Sequence, residues 1–177
     1  TMVNHSTTEI FFDNLEVDES CIIGEEGQGF KYILNGLNAE RLLIASECIG
    51  DAKYFIDKSV EYGNQREVFG RPIGKNQGIQ FPVAKAYSRT FAAELTLIEG
   101  CNLFNSGQDC GKEANISKLL AAEASWEAAE AAMQTFGGFS FAEEYNIERK
   151  FRETRLYQIA PVSTNMILAY VAHKVLG

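Results

Sequence analysis

The chain has 177 residues, 46% of them hydrophobic and 23% charged, which suits one domain with a real core, or one domain plus part of another. The formal charge of −8 argues against a nucleic-acid role, which needs a basic patch, and no apolar run reaches the roughly 18 residues of a membrane span. Cys21, Cys48, Cys101 and Cys110 form no Cys-x-x-Cys pair, and with only His5 and His173 beside them no metal site is expected. They read as reduced cysteines of an intracellular protein, cytoplasmic or, in a eukaryote, of the mitochondrial matrix.

Residues 8–17 carry the one strand signal, with Ile10, Phe11 and Phe12 followed by a turn at Asp13-Asn14. A lone strand pairs with nothing, so it reads as the remnant of a sheet whose other strands lie elsewhere. From Gly27 the period changes. Phe30, Ile33, Leu34, Leu37, Arg41, Ile44, Cys48 and Ala52 mark one face of a long helix ending near Gly63-Asn64. After a Gly- and Pro-containing loop, Ile79, Val83, Tyr87, Phe91, Leu95 and Ile98 mark a second helix, ending near Ser106-Gly107. Pro82 either starts its regular part or kinks its first turns.

A third helix places Ile116, Leu119, Ala122, Trp126, Ala129 and Met133 on one face and stops at Gly137-Gly138. A shorter element spans about 144–154. A last helix follows Pro161, carries Met166, Ala169, Tyr170 and His173, and still reads as helix at Gly177. The expected fold is all-α: an antiparallel up-and-down four-helix bundle at 27–177, preceded at 1–26 by a strand remnant and linker. The unpaired strand and the helix running to Gly177 suggest a piece of a longer protein. A di-iron site would need Glu-x-x-His pairs on two helices, and neither histidine has a glutamate three residues before it.

Three segments carry a family signal. These are LNAERLLIASECIGDAKYFIDKSVEYGNQREVFGRPIGKNQ at 37–77, AAMQTFGGFSFAEEYNIERKFRETRLYQI at 131–159, and EIFFDNLEV followed after four residues by IIGEEGQGF at 9–30. Together they resemble the C-terminal part of acyl-CoA dehydrogenases, in the right order and over nearly the whole chain. The resemblance implies an FAD enzyme, a homo-oligomer (dimer or tetramer), that oxidises an acyl-CoA thioester to the 2-enoyl-CoA. It also implies electron-transfer flavoprotein as acceptor. The fragment alone is expected to be inactive.

In that family the base that removes the α proton comes from one of two positions. At the commoner one, after Tyr157-Gln158-Ile159, this chain has Pro161 in place of glutamate. The other lies before an arginine on the first long helix, where this chain reads Glu40-Arg41, as in relatives of the isovaleryl- and long-chain-specific type. Glu40 is therefore the expected base, since a carboxylate in a dry pocket titrates closer to working pH. Asn38 and Arg41 match positions that touch the CoA arm or support the base. Pro161 also lacks the backbone N–H that helps hold the thioester carbonyl, a loss typically on the order of 100-fold in rate. Either the register shifts by a residue, another donor substitutes, or the reaction is not a simple dehydrogenation.

The resemblance assigns Arg66, Phe69 and Gln77 to the FAD of a neighbouring subunit, the arginine at its pyrophosphate. Gln134, Gly137 and Gly138 match a turn at the adenosine part, although Phe139-Ser140 departs from the usual Asn-Gly. Ser163 and Asn165 stand where a threonine and a glutamine contact flavin. Two other readings remain open: a related flavin oxidase acting on a modified substrate, and a helical oligomerisation module without catalysis.

Overall fold

A computed structural model of the chain describes residues 8–177, leaving out the side chain of Asn35. His5 and the opening residues of the expected 1–26 segment lie outside this range. The chain divides into two compact units, residues 1–37 and residues 38–177.

In the first unit the expected strand at 8–17 does not form: these residues carry no ladder hydrogen bonds, and Ile10, Phe11 and Phe12 are exposed. The β-prone cluster has no partner strand, and extended backbone without one gains nothing over hydration. A short 3-10 turn, Glu19–Cys21, is capped by the Asp18 carboxylate, which accepts from the Ser20 N–H at 2.9 Å. Helix α1 spans Gly29–Gln65.

The second unit is all-α, as the periodicities predict. It contains α1 from residue 38, α2 (Gln77–Asn105), α3 (Gly111–Phe136), α4 (Ile147–Leu156) and α5 (Thr164–Tyr170), with a π turn at Val171–Val175. Helical structure therefore stops at Val175 and does not run to Gly177. Among the described residues the strands are two-residue pieces, β1 (Glu67–Val68) and β2 (Arg71–Pro72), which pair antiparallel. Helix α2 begins at Gln77, so Pro82 lies inside it rather than at its start.

The helix faces match the expected ones in part: Arg41, Cys48 and Ala52 of α1 and Ala122 and Ala129 of α3 are buried, while other expected positions are not. On α2 the large apolar residues Tyr87, Phe91, Leu95 and Ile98 are exposed, and the buried face is Ala86, Thr90, Ala93, Leu97 and Gly100. On α3 the core positions are small: Ala114, Ser117, Ala121, Ala124, Ser125, Ala128, Ala131 and Ala132 are buried, while Trp126 and Met133 are only half-buried. α3 is the central helix, packed by α2, α4 and α5. An alanine surface lets neighbouring helices approach closely, so hydrophobicity alone points to the wrong stripe. Met166 is exposed on α5, and Ile167 is the residue that enters the core.

Two apolar clusters result. One gathers Leu42, Ala45, Cys48 and Ile49 of α1 with Ala93 and Leu97 of α2 and the first half of α3. The other joins Ala52, Phe55 and Ile56 to Ala86, Ala128, Ala132, Phe136 and Ile147. A hydrogen bond between the buried hydroxyls of Ser125 and Thr154 ties α3 to α4.

Candidate functional site

Helix α1 presents Asn38, Glu40 and Arg41 within one turn. Glu40 is exposed and, among the described residues, makes no hydrogen bond or ion pair. Arg41 is buried at 9% exposure; its guanidinium donates to Asn38 Oδ1 at 3.0 Å, and its Nε has no partner. Burial pulls the arginine's pKa down, opposed by the nearby Tyr170 hydroxyl and by Glu40. Tyr170 comes from the end of α5. At Gly111, the first residue of α3, an added Cβ would stand 3.1 Å from the Tyr170 hydroxyl and 3.9 Å from Asn38 Nδ2. α1, α3 and α5 thus converge beside Asn38 and Arg41, with an unsatisfied guanidinium N–H at their meeting point, a costly arrangement unless something pairs with it.

The loop between α4 and α5 carries Pro161, Ser163 and Asn165. Ser163 caps α5, its hydroxyl accepting from the Met166 N–H at 3.4 Å, and Asn165 is exposed on the first turn. The loop's carbonyls at Tyr157 and Val162 both accept from the ammonium of Lys118, a residue of α3 with no exposed surface. Sequence reading passed over Lys118. Its signal was position: three and four residues from Ala114, Ala121 and Ala122, it sits on the buried face of α3. Burial lowers the lysine's pKa and raises that of the neighbouring Cys48 thiol to about 12.

A second constellation forms at the other end of the unit. β1 and β2 make a hairpin whose turn is Phe69-Gly70, with φ of 56° and 76°. Positive φ at both central positions is the tight hairpin geometry, ordinary for glycine and strained for phenylalanine. The Phe69 side chain is wholly exposed. Arg66, at the hairpin's base, shares a groove of about 480 Å³ with Tyr62, Phe136, Gly137, Gly138 and Phe139. Gly137 ends α3 with φ 58° and ψ −132°, a conformation open only to glycine, and neither Gly137 nor Gly138 has an atom within 4 Å of where a Cβ would stand. Backbone is therefore bare beside an arginine. Gln134 faces an adjoining groove with Gly78, Lys85 and Glu127, and Gln77 opens α2. The structure brings Arg66, Gly137 and Gly138 together, with Gln134 in the next groove; Phe69 projects away into solvent.

Residues 27–176 match the model of the acyl-CoA dehydrogenase C-terminal domain. The chain belongs to the acyl-CoA dehydrogenase family. It is 39% identical over 171 residues to an acyl-CoA dehydrogenase of Bacillus subtilis, covering 97% of this chain and 45% of that protein. It is 30% identical over 158 residues to the caffeyl-CoA reductase–Etf complex subunit of Acetobacterium woodii, covering 89% of this chain and 42% of the relative. Butyryl-CoA dehydrogenase from Megasphaera elsdenii superposes with a TM-score of 0.89 at 29% identity, over 94% of this chain and 43% of that one. The chain thus spans less than half the length of these acyl-CoA dehydrogenase relatives, and it corresponds to the helical C-terminal domain of a flavoprotein oxidoreductase family. Among the described residues no helix is long and apolar enough to cross a membrane, and no cluster of three or more His, Cys, Asp or Glu could hold a metal.

Proposed function

We propose that this domain supplies the general base and part of the cofactor cradle of an FAD-dependent enzyme that desaturates an acyl-CoA thioester between its α and β carbons. The observation that carries the reading is Glu40, exposed and without a partner among the described residues, beside a buried Arg41 with an unpaired N–H. Glu40 takes the α proton. Covering of this face by the rest of the protein would exclude water from around the carboxylate. Asn38 and Arg41 orient it and face the CoA arm.

The residues present fit FAD. The planar fork of Arg66 suits a pyrophosphate, and the bare backbone at Gly137 and Gly138 admits the close approach of an adenosine moiety. Gln77 and Gln134 add amide partners, Phe69 an aromatic face, and Ser163 and Asn165 hydrogen bonds at the flavin. FAD held there would supply the acceptor for the hydride lost from the β carbon. Because Phe69 projects from the unit, the cradle faces a neighbouring subunit, and the outward apolar stripe of α2 supports a homo-oligomer. Electron-transfer flavoprotein is the proposed acceptor, supported by the Acetobacterium relative named as part of an Etf complex.

Anaerobic mixing of the full-length protein with a panel of acyl-CoAs tests the reading through bleaching of its flavin. Wild type bleaches, and Glu40→Gln slows reduction by on the order of 100-fold or more without loss of bound flavin. Equal rates would remove Glu40 from the role of base. Pro161, with no N–H for the thioester carbonyl, favours a second reading: a related flavin oxidase on a modified substrate, recognised by steady peroxide formation without an added acceptor.

A further inference from the structure

Lys118 is an ammonium in the middle of an alanine helix, with no exposed surface. Burying a cation costs desolvation, and apolar replacements of similar volume are often neutral or stabilising. Stability alone therefore does not account for a lysine here; what it supplies is direction. Its ammonium reaches two backbone carbonyls, those of Tyr157 and Val162, the latter at 2.8 Å. These two groups bracket residues 158–161.

The loop's remaining ties are local. Ile159 and Ala160 both donate to the Leu156 carbonyl at 2.9 Å, and the Thr164 N–H and hydroxyl both donate to the Gln158 carbonyl at 3.2 Å. Among the described residues, Lys118 is the side chain from outside 156–164 that reaches the loop's backbone. Arg41 lies within electrostatic reach of the same ammonium.

We propose that Lys118 is a positioning residue: by holding both ends of the 157–162 loop on the central helix, it fixes Pro161, Ser163 and Asn165 against the reacting groups. This rests on the proposed dehydrogenase site, but its physical core, a loop held by one buried cation, is testable without substrate. Two charge-assisted hydrogen bonds are lost in Lys118→Met, and Lys118→Arg keeps the charge and the donors.

The experiment uses the full-length protein with three readouts: hydrogen exchange without ligand, melting temperature, and kcat and KM for acyl-CoA. In Lys118→Met, amide exchange at 158–164 accelerates by about 10-fold or more while α2 and α3 keep wild-type protection. kcat falls by on the order of 10- to 100-fold, as for a misplaced site, with KM changed less than about threefold. Lys118→Arg recovers most of both. If Lys118→Met does not fold, Lys118→Gln, which keeps a single amide donor group, gives the same ordering in weaker form.

Wild-type exchange at 158–164 in the variant overturns the proposal. So does a fall in kcat that merely follows a lower melting temperature and that arginine does not rescue. A wild-type protein inert toward every acyl-CoA instead defeats the dehydrogenase reading, and the exchange result still decides whether Lys118 holds the loop.

Discussion

Arg66 lies over the ring of Phe139, its guanidinium carbon 5.8 Å from the ring centroid. The contact holds the arginine beside the open backbone of Gly137 and Gly138, across the groove that the hairpin and the end of α3 form together. It also gives a physical use to Phe139, which stands against both the arginine and the Tyr145 ring.

The proposed FAD site predicts that loss of the planar fork at Arg66 weakens flavin retention. Arg66→Lys is expected to raise the apparent Kd for FAD of the full-length apoprotein by about 10-fold, since a charge-assisted bond contributes roughly 1.5–3 kcal/mol and lysine keeps only part of it. Phe139→Ala costs about two- to fivefold, the scale of an exposed cation–π contact. Flavin titration by fluorescence measures both. A larger effect for Phe139→Ala than for Arg66→Lys would contradict the assignment.

Leu42 and Gly100 make one packing unit between α1 and α2. A Cβ added at Gly100 would stand 2.8 Å from Leu42 Cδ2, and Leu42 is buried at 5% exposure. Leu42→Ala is expected to cost about 2–5 kcal/mol and Gly100→Ala about 1–3 kcal/mol by crowding. The double variant loses less than their sum, because the alanine at 100 occupies space that Leu42 has vacated. Denaturant unfolding of the four proteins checks the cycle; strict additivity would mean that the two residues do not share this contact.

Cys48 has a pH signature. Burial, partly offset by Lys118, raises its thiol pKa from 9.0 to about 12. The folded state thus prefers the neutral thiol. Its contribution is complete below the unfolded value near 9 and is lost as pH rises from there toward 12. Between pH 9 and 10.5, wild type should lose stability relative to Cys48→Ala by up to about 1.4 kcal/mol per pH unit. Parallel stability curves for the two proteins over that range would refute it. At pH 8 an alkylating reagent should modify the exposed Cys21 well before Cys48.

The outward face of α2 should govern assembly. Phe91 and Leu95 are 53% and 54% exposed, one turn apart, on a stripe that continues to Ile98. Phe91→Glu combined with Leu95→Glu is expected to shift the full-length protein to a smaller species in sedimentation while helical content stays unchanged. Retention of the wild-type assembly would exclude this face from the interface.

Much of the helical framework was legible in the sequence because its signals are local. Gly137 stops α3 where the period breaks, and α1 begins and ends within a few residues of the positions expected from its apolar repeat. The faces were less legible. Tyr87, Phe91, Leu95 and Ile98 have the right spacing for a core stripe, but spacing does not say whether the partner is another helix of the same unit or a surface beyond it. The true core face of α3 is written in alanine and serine, which hydrophobic patterning underweights. The segment at 8–17 forms no ladder for a related reason: strand formation depends on a neighbour, and the expected partner strands lie outside this chain.

The candidate site divides in the same way. Glu40, Arg41, Arg66 and the Gly137-Gly138 pair sit in motifs contiguous in sequence, and family resemblance reaches them. The burial of Lys118 could be read from its spacing, but its partners could not: Tyr157 and Val162 are 39 and 44 residues away and offer backbone carbonyls, which every residue has.

The alanine face of α3 bears on how this domain can vary. At Ala121, Ala124, Ala128 and Ala132, each at most 1% exposed, a side chain cannot grow without displacing a neighbour. The permitted alphabet is therefore narrow where the residues look least informative, while the conspicuous aromatics of α2 answer to a different constraint. In a saturation scan read out by folding alone, the positions that refuse substitution will be the alanines, and the large apolar residues on the outer face will be the ones free to drift.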